Sequence, residues 1–563
     1  MTTAALRILI VGGYGIFGGR LVELLEDDAR LTLLVAGRSL GVAREYCALR
    51  SSAVAKLIPT VFDRTWNANR LTALHPAVVV DASGPFQAYG SDAYRLIECC
   101  IACGIHYLDL ADGSAFVAGV ARFDTAARAA GVYVLSGVSS FPVLTAAVVR
   151  RLSAGIAHVQ SIRGGIAPSP HVSVGLNVIR AIAGYAGQRI VLKRRGRLAI
   201  GRPFTESLRF VIAVPGRIPL ASRRFSLVDV PDLRTLADLW PEAKDVWMGA
   251  APVPVPLHWA LIAFAWQVRI RVLPSLSWMA RAMHFMTNHM RWGEHRGGMF
   301  IEVRGKAGDG GLVVREWHLL AEEDDGRLIP CMAVLAIIRN VLAGKPPPAG
   351  ARTAISDVDL SDYETLFSLR RIYTGIRERV PAPAGPLYQR VLGESWGQLP
   401  PAIRRLHSVT SVSSFSGRCA VDCGRNPLAR MIAALIGFPK AGPDQSITIK
   451  LTAEGDQERW VRTSGGRMFS SVQCLGRERS EWLVRERFGP VAVHMALVAD
   501  KAGLRYVLRR WTLFGIALPL SFGPRSKAYE SVEDGKFRFD VEIGHPFAGL
   551  IVRYRGLFAT TAE

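Results

Sequence analysis

Up to Gly137 the chain alternates between short apolar runs and amphipathic stretches. The runs Arg7–Val11, Leu31–Ser39, Leu57–Asp63, Ala77–Ser83, Tyr107–Leu110 and Val132–Gly137 are aliphatic with little period-two alternation. That is the pattern of strands covered on both faces of a parallel sheet. Helical stretches fall between them, at Gly19–Leu25, over the segment with Tyr94, Leu96, Ile97 and the clustered cysteines, and over Phe116–Ala130. The pitch predicts an α/β, doubly wound unit, here bounded at 1–150. A mixed α/β region, 151–378, follows. Its expected elements are a strand at Gln160–Ala167, a helix at Asn177–Ala186, strands at Phe210–Val214 and Phe225–Val228, a helix at Trp278–His289, an antiparallel pair at Met299–Gly305 and Leu312–Leu320, and a helix at Met332–Leu342. The Pro- and Ala-rich stretch 379–386 reads as a linker. Beyond it, 387–563 is mainly β, with short strands such as Ile447–Leu451, Trp460–Thr463, Trp482–Phe488, Val491–Val498 and Phe537–Ile543, arranged as one curved sheet or half-barrel. Its clearest helix is Pro427–Ile436, with Asn426 as N-cap.

The first strand runs into Gly12-Gly13-Tyr14-Gly15-Ile16-Phe17-Gly18. The spacing Gly13-x-Gly15-x-x-Gly18 between a strand and a helix is the dinucleotide fingerprint. Gly13 serves the tight turn, Gly15 lets backbone approach a pyrophosphate, and Gly18 lets the helix pack close. The helix N-terminus offers unpaired N–H groups to phosphate. At the end of the second strand, where an acid would bind the ribose of NAD, stand Gly37, Arg38 and Ser39. An arginine and a hydroxyl suit a 2′-phosphate, so NADP is expected over NAD, unless Arg38 merely caps the strand in solvent. Asp63 either contacts adenine or caps the next turn. The loop Ser83-Gly84-Pro85-Phe86 to Tyr89 leaves the carboxyl end of the fourth strand, the side on which ligands bind, and is expected along the nicotinamide. For the proton donor of a hydride transfer the candidates are His106, Tyr107, Asp109 and Asp112. Asp109, which ends a strand at the ligand rim, and His106 are put forward as catalytic.

These segments together resemble the saccharopine-dehydrogenase-like family. The matching pieces are Gly12–Gly18, Gly37-Arg38-Ser39, Gly84-Pro85-Phe86 with Tyr89-Gly90, Gly104-x-His106-Tyr107-x-Asp109, and Gly137–Pro142. The resemblance implies a Rossmann domain, a second domain on a large mixed sheet, and NAD(P) chemistry on a C–N bond or a related reduction. It departs at Asp112-Gly113-Ser114, where family members often carry Gly-Glu. Leu387–Pro400 and Phe539–Gly556 resemble an uncharacterised domain that recurs in bacteria behind saccharopine-like halves, a name that carries no activity.

Charge alters the picture of partners. The chain of 563 residues carries a formal +22. About +1 falls before Arg151, about +12 between Arg151 and Pro386, and about +9 after it. The basic charge avoids the nucleotide half, which argues against nucleic acid and toward an acidic partner such as an anionic membrane surface. Arg189–Arg202, with Lys193, Arg194, Arg195 and Arg197, reads as a hairpin tip or a patch for anionic groups. The apolar segment Val253–Val268 reads as a buried helix or as one lying on a membrane, and is short for a span. Met279, Met283, Met286 and Met290 recur at helical spacing, as in a core or an adaptable apolar groove. The eight cysteines form no metal motif and fit free thiols in a reducing cytoplasm. No signal peptide is expected, since Thr2–Ala5 lacks a basic region. The expected function is an NADP-dependent oxidoreductase acting on a small, apolar or lipid-like substrate, cytoplasmic or membrane-associated, with oligomerisation open. The alternative is a non-catalytic NADP-binding protein that docks on a membrane or partner.

Overall fold

The computed structural model describes residues 5–252, 254–379 and 385–558. Val253 and residues 380–384 of the expected linker lie outside the described residues. The chain forms two compact units, Met1–Leu208 with Arg224–Tyr373, and Arg209–Arg223 with Thr374–Glu563.

The first unit opens with six parallel strands, β1 (Leu6–Val11), β2 (Leu31–Gly37), β3 (Lys56–Val61), β4 (Val78–Asp81), β5 (His106–Asp109) and β6 (Tyr133–Ser136). They lie in the order β3-β2-β1-β4-β5-β6. The order reverses between β1 and β4, and a crevice opens there beyond the strand ends. Ile8–Ile10, Leu33–Ala36 and Val78–Val80 are wholly buried, which explains the continuous aliphatic runs. The sheet does not end at β6, the last of the six runs: Gly350–Thr353 adds a seventh strand, parallel to it. Its four residues carry no apolar run, so hydropathy alone does not reveal it. The expected helix Phe116–Ala130 is broken into Ser114–Gly119, a 3-10 turn at Val120–Phe123, and Asp124–Ala129. Tyr94 intrudes there: its hydroxyl donates to the Phe116 carbonyl at 3.0 Å, a group the helix would otherwise use.

A second sheet in this unit has five central strands in the order Arg223–Leu227, Asp245–Ala250, His158–Ala167, Arg296–Lys306 and Leu312–Glu322. The expected antiparallel pair holds, in register from Arg296↔Glu322 to Lys306↔Leu312. Helix Ile329–Leu342 packs against α1 (Ile16–Leu25), tied by Arg327 to Glu23 at 2.7 and 2.8 Å. The expected strand Phe210–Val214 is displaced to Ser207–Phe210, because Val211 and Ala213 bury against Trp482 instead.

The second unit is a closed barrel rather than a half-barrel. Among the described residues, ten antiparallel strands from Val412–Cys423 to Gly549–Phe558 pair in chain order, and the last pairs with the first. A short strand, Ile516–Leu518, lies outside the ring on Trp511–Leu513. The interior is filled by Phe415, Trp460, Phe469, Phe537, Phe539 and their neighbours. Helix Pro427–Ile436 forms as expected, and Asn426 accepts from the Leu428 amide at 2.9 Å. Glu486 points inward to Arg462 and Ser471, while Glu542 pairs with Lys527.

Candidate functional site

The crevice opens into a cavity of about 1120 Å³. Val11 leads into a turn whose left-handed residue is Gly12, at φ 78°, not Gly13. A Cβ on Gly13 would lie 2.9 Å from the Ile10 carbonyl oxygen, so Gly13 keeps the turn flat on β1 and β2, and its N–H donates to the Ala36 carbonyl at 2.9 Å. Gly15 is the N-cap of α1 and borders the cavity; a Cβ there would meet only the Gly12 carbonyl, at 3.0 Å for the oxygen. Gly18 is the most constrained: a Cβ would lie 2.1 Å from the Gly12 oxygen and 2.7 Å from the Gly13 Cα. The start of α1 therefore presents bare backbone to the cavity, a cradle that fits the pyrophosphate of a dinucleotide. Ile16 and Phe17 border the cavity beside it.

Tyr14 also has a structural task. Its hydroxyl accepts from the Ser39 amide at 3.0 Å and its ring covers Gly37, where a Cβ would sit 2.3 Å from the Tyr14 oxygen. Ser39 caps the next helix, its hydroxyl accepting from the Val42 amide at 3.4 Å. Arg38 is exposed and borders the cavity. Asp63 caps a turn, accepting from the Thr65 amide at 2.9 Å and hydroxyl at 2.7 Å. These bonds from Thr65, with help from Arg38, hold its carboxyl below the ordinary value.

Across the crevice, Asp81 ends β4 with 1% exposure and accepts from the amide and hydroxyl of Ser83 at 3.0 and 2.6 Å. Ser83 and Tyr89 share a hydrogen bond of 2.9 Å, and the Arg64 guanidinium lies 3.4 Å from the Tyr89 ring centroid. Phe86 packs against Tyr89 and Phe116. This knot holds Ser83, Gly84, Pro85, Phe86 and Tyr89 on the cavity wall. Asn177, which no sequence pattern singles out, donates to the Ser83 and Gly84 carbonyls at 3.2 and 3.0 Å and ties helix Leu176–Tyr185 to the same loop. Arg20 was equally unmarked: it borders the cavity, and burial lowers its guanidinium's pKa.

The two expected catalytic residues are not brought together. His106 opens β5, at the end of the strand away from the crevice; its ring stacks on Tyr133 and its Nδ1 accepts from the Tyr133 amide at 3.2 Å. Asp109 ends β5 fully buried. Its Oδ1 accepts from the Ala111 and Gly137 amides at 3.0 and 2.8 Å and from the Ser136 hydroxyl at 3.0 Å. Burial pushes its carboxyl up to about 7. Neither residue borders the cavity, whereas Asp112 does. Gln87 donates to Asp112 at 3.0 Å, and burial, assisted by the nearby charge of Asp229, raises its pKa.

Beyond Asp112 the cavity turns apolar. Leu257, Leu261 and Phe264 of helix Val255–Arg269, and Met279, Met283 and Met286 around helix Ala280–His289, line it.

Residues 8–135 match the saccharopine dehydrogenase NADP binding domain, and residues 399–558 match a domain of unknown function, DUF4166. The resemblance read from the sequence is thus borne out at both ends of the chain. No curated protein matches the chain. Among solved structures, saccharopine dehydrogenase (L-Glu forming) from Saccharomyces cerevisiae is 13% identical, with 67% of this chain and 100% of that one covered and a TM-score of 0.48. Biliverdin reductase from Synechocystis, in complex with biliverdin and NADP+, is 13% identical over 61% of this chain and 92% of that one, with a TM-score of 0.28. The WlbA dehydrogenase from Thermus thermophilus, in complex with NAD and α-ketoglutarate, is 13% identical over 61% and 89%, with a TM-score of 0.28. The N-terminal match supports a nicotinamide-dependent oxidoreductase.

Proposed function

We propose that the chain is an NADP-dependent oxidoreductase that reduces a C=N, C=O or activated C=C bond of an apolar substrate. The observation that carries this reading is the continuity of one cavity, from the bare glycine turn to the methionine-lined chamber. At about 1120 Å³ it exceeds the ~300–1,000 Å³ typical of a site for one small ligand. It has room for a dinucleotide and a second, apolar molecule. The nicotinamide, when bound, supplies the hydride.

The protein's part is orientation and proton supply. The Asp81–Ser83–Tyr89 knot fixes the loop on one side of the crevice. Asp112 is the proton donor in this reading: it borders the cavity, Gln87 holds its carboxyl at 3.0 Å, and burial raises its pKa. Arg38 supports NADP over NAD, as the exposed cation at the end of β2.

The test is binding of NADPH and NADH to the purified chain, with Gly15→Trp and Arg38→Ala as variants. NADPH should bind more tightly than NADH, Gly15→Trp should abolish both, and Arg38→Ala should weaken NADPH roughly tenfold or more while leaving NADH unchanged. Absence of binding by either nucleotide would sink the reading.

A further inference from the structure

The two helices that wall the apolar chamber have a second face. On helix Val255–Arg269, residues follow one another by about 100°. Leu257, Leu261 and Phe264 therefore share the cavity side, and Val255, Trp259 and Trp266 point about 180° away. Trp259 and Trp266 are 49% and 43% exposed. Around the second helix, Trp278, Phe285 and Trp292 are 71%, 60% and 61% exposed. Large aromatic side chains exposed in such a group are uncommon on a surface that faces only water.

The same stretch has a one-sided charge. Between Asp245 and Glu294 the sequence contains no Asp or Glu, while Arg269, Arg271, Arg281 and Arg291 fall among the tryptophans. The hairpin Ile190–Arg194 and Arg197–Gly201 adjoins it: Gln188 donates to the Pro274 carbonyl at 2.7 Å, and Gly187 lies close under Ala265 and Val268. The hairpin repeats the composition, with Val191, Leu198 and Ile200 exposed beside Lys193, Arg195 and Arg197, while Arg194 pairs with Glu206. Between Asp124 and Glu206 the sequence again has no acid. Aromatic side chains among cations that outnumber the acids suit the headgroup layer of an anionic bilayer, where rings seat at the interface and arginines meet phosphates. Helix Val255–Arg269 has 15 residues, too few for a span, and no described helix is long and apolar enough to cross a membrane.

We propose that this face docks on an anionic phospholipid bilayer, and that the apolar chamber behind the same two helices takes its substrate from that bilayer. The second clause rests on the reading of the cavity as an oxidoreductase site; the first does not.

The test is co-sedimentation of the full chain with vesicles of phosphatidylcholine alone and with about one third phosphatidylglycerol, alongside NADPH binding on the same samples. Binding should be roughly tenfold or more tighter on the anionic vesicles and should weaken with salt. Both Trp266→Ser/Trp278→Ser and Arg271→Glu/Arg281→Glu should reduce it about tenfold with NADPH affinity unchanged. In the unaltered chain, lipids brominated near the headgroup should quench tryptophan emission, which keeps the test open should a variant fail to fold. Equal affinity for both vesicle types, or no quenching, would overturn the proposal. So would equally tight binding to polyglutamate that survives the tryptophan changes, which would mark an acidic protein as the partner. Vesicle binding without NADPH binding would leave the docking in place and remove the oxidoreductase reading.

Discussion

Asp109 and Asp112 stand on one short segment and are put to different uses by their surroundings. Asp109 is the end of a strand made into a knot: two amides and a hydroxyl converge on its Oδ1, and its Oδ2 has no partner among the described residues. Desolvation outweighs those bonds and lifts its pKa to about 7, against about 4 in an unfolded chain. The folded protein then holds a proton that the unfolded chain has released, so this residue's contribution to stability falls as pH rises from about 4 to about 7 and is level above that. Asp109→Asn should flatten this slope. In urea unfolding at pH 5 and pH 8, the native chain should lose on the order of 2–3 kcal/mol more than the variant between the two. Equal losses would mean that Asp109 titrates alike in both states. For Asp112 the expected effect is on rate. Asp112→Asn should cut turnover roughly 10²–10³-fold with NADPH affinity unchanged, while His106→Ala, at the far end of β5, should leave turnover as it was. Sequence reasoning could place both acids after one strand, yet it could not tell which carboxyl the chain folds over.

At the scale of elements, the glycine turn shows how much a motif conveys and what it leaves out. Its position between β1 and α1 was legible, because an apolar run, a glycine cluster and a helical stretch stand in order. The division of labour within it was not. Gly12, outside the fingerprint, takes the left-handed conformation, and Gly18 carries the tightest packing. Gly18→Ala should therefore be worse than Gly15→Ala. The added methyl at Gly18 runs into the Gly12–Gly13 backbone at 2.1–2.7 Å, an overpacking that costs ~1–3 kcal/mol or more, whereas at Gly15 it faces the cavity and one carbonyl. Thermal unfolding of the two variants checks this, and a larger loss for Gly15→Ala would place the constraint elsewhere. The elements missed from sequence share a physical cause. Gly350–Thr353 is too short and polar to show a period, and the break at Gly119 depends on Tyr94, which arrives from another helix.

For the whole molecule, the barrel's interior poses a question that hydropathy could not raise. Alternation predicted strands, and strands formed, but closure depends on the pairing of Gly549–Phe558 with Val412–Cys423, far apart in sequence. Closure then seals a charged pair inside. Arg462 and Glu486 are 7% exposed each, joined at 3.1 Å, with Ser471 donating to the same carboxylate oxygen at 2.6 Å. Removing one partner of a buried pair leaves the other charge stranded, at a cost of about 3–5 kcal/mol, whereas replacing both with apolar groups of similar volume is often neutral or better. Arg462→Met should thus lower the barrel's stability by about that amount, and Arg462→Met/Glu486→Leu should restore most of it. NADPH affinity should stay the same in all three proteins, since every residue bordering the nucleotide cavity belongs to the other compact unit. Denaturant melts followed by tryptophan emission, with NADPH titration alongside, give both readouts. If the double variant proves as unstable as the single one, the pair is needed for more than its own neutrality, and the hydrogen bond from Ser471 would be the next group to remove.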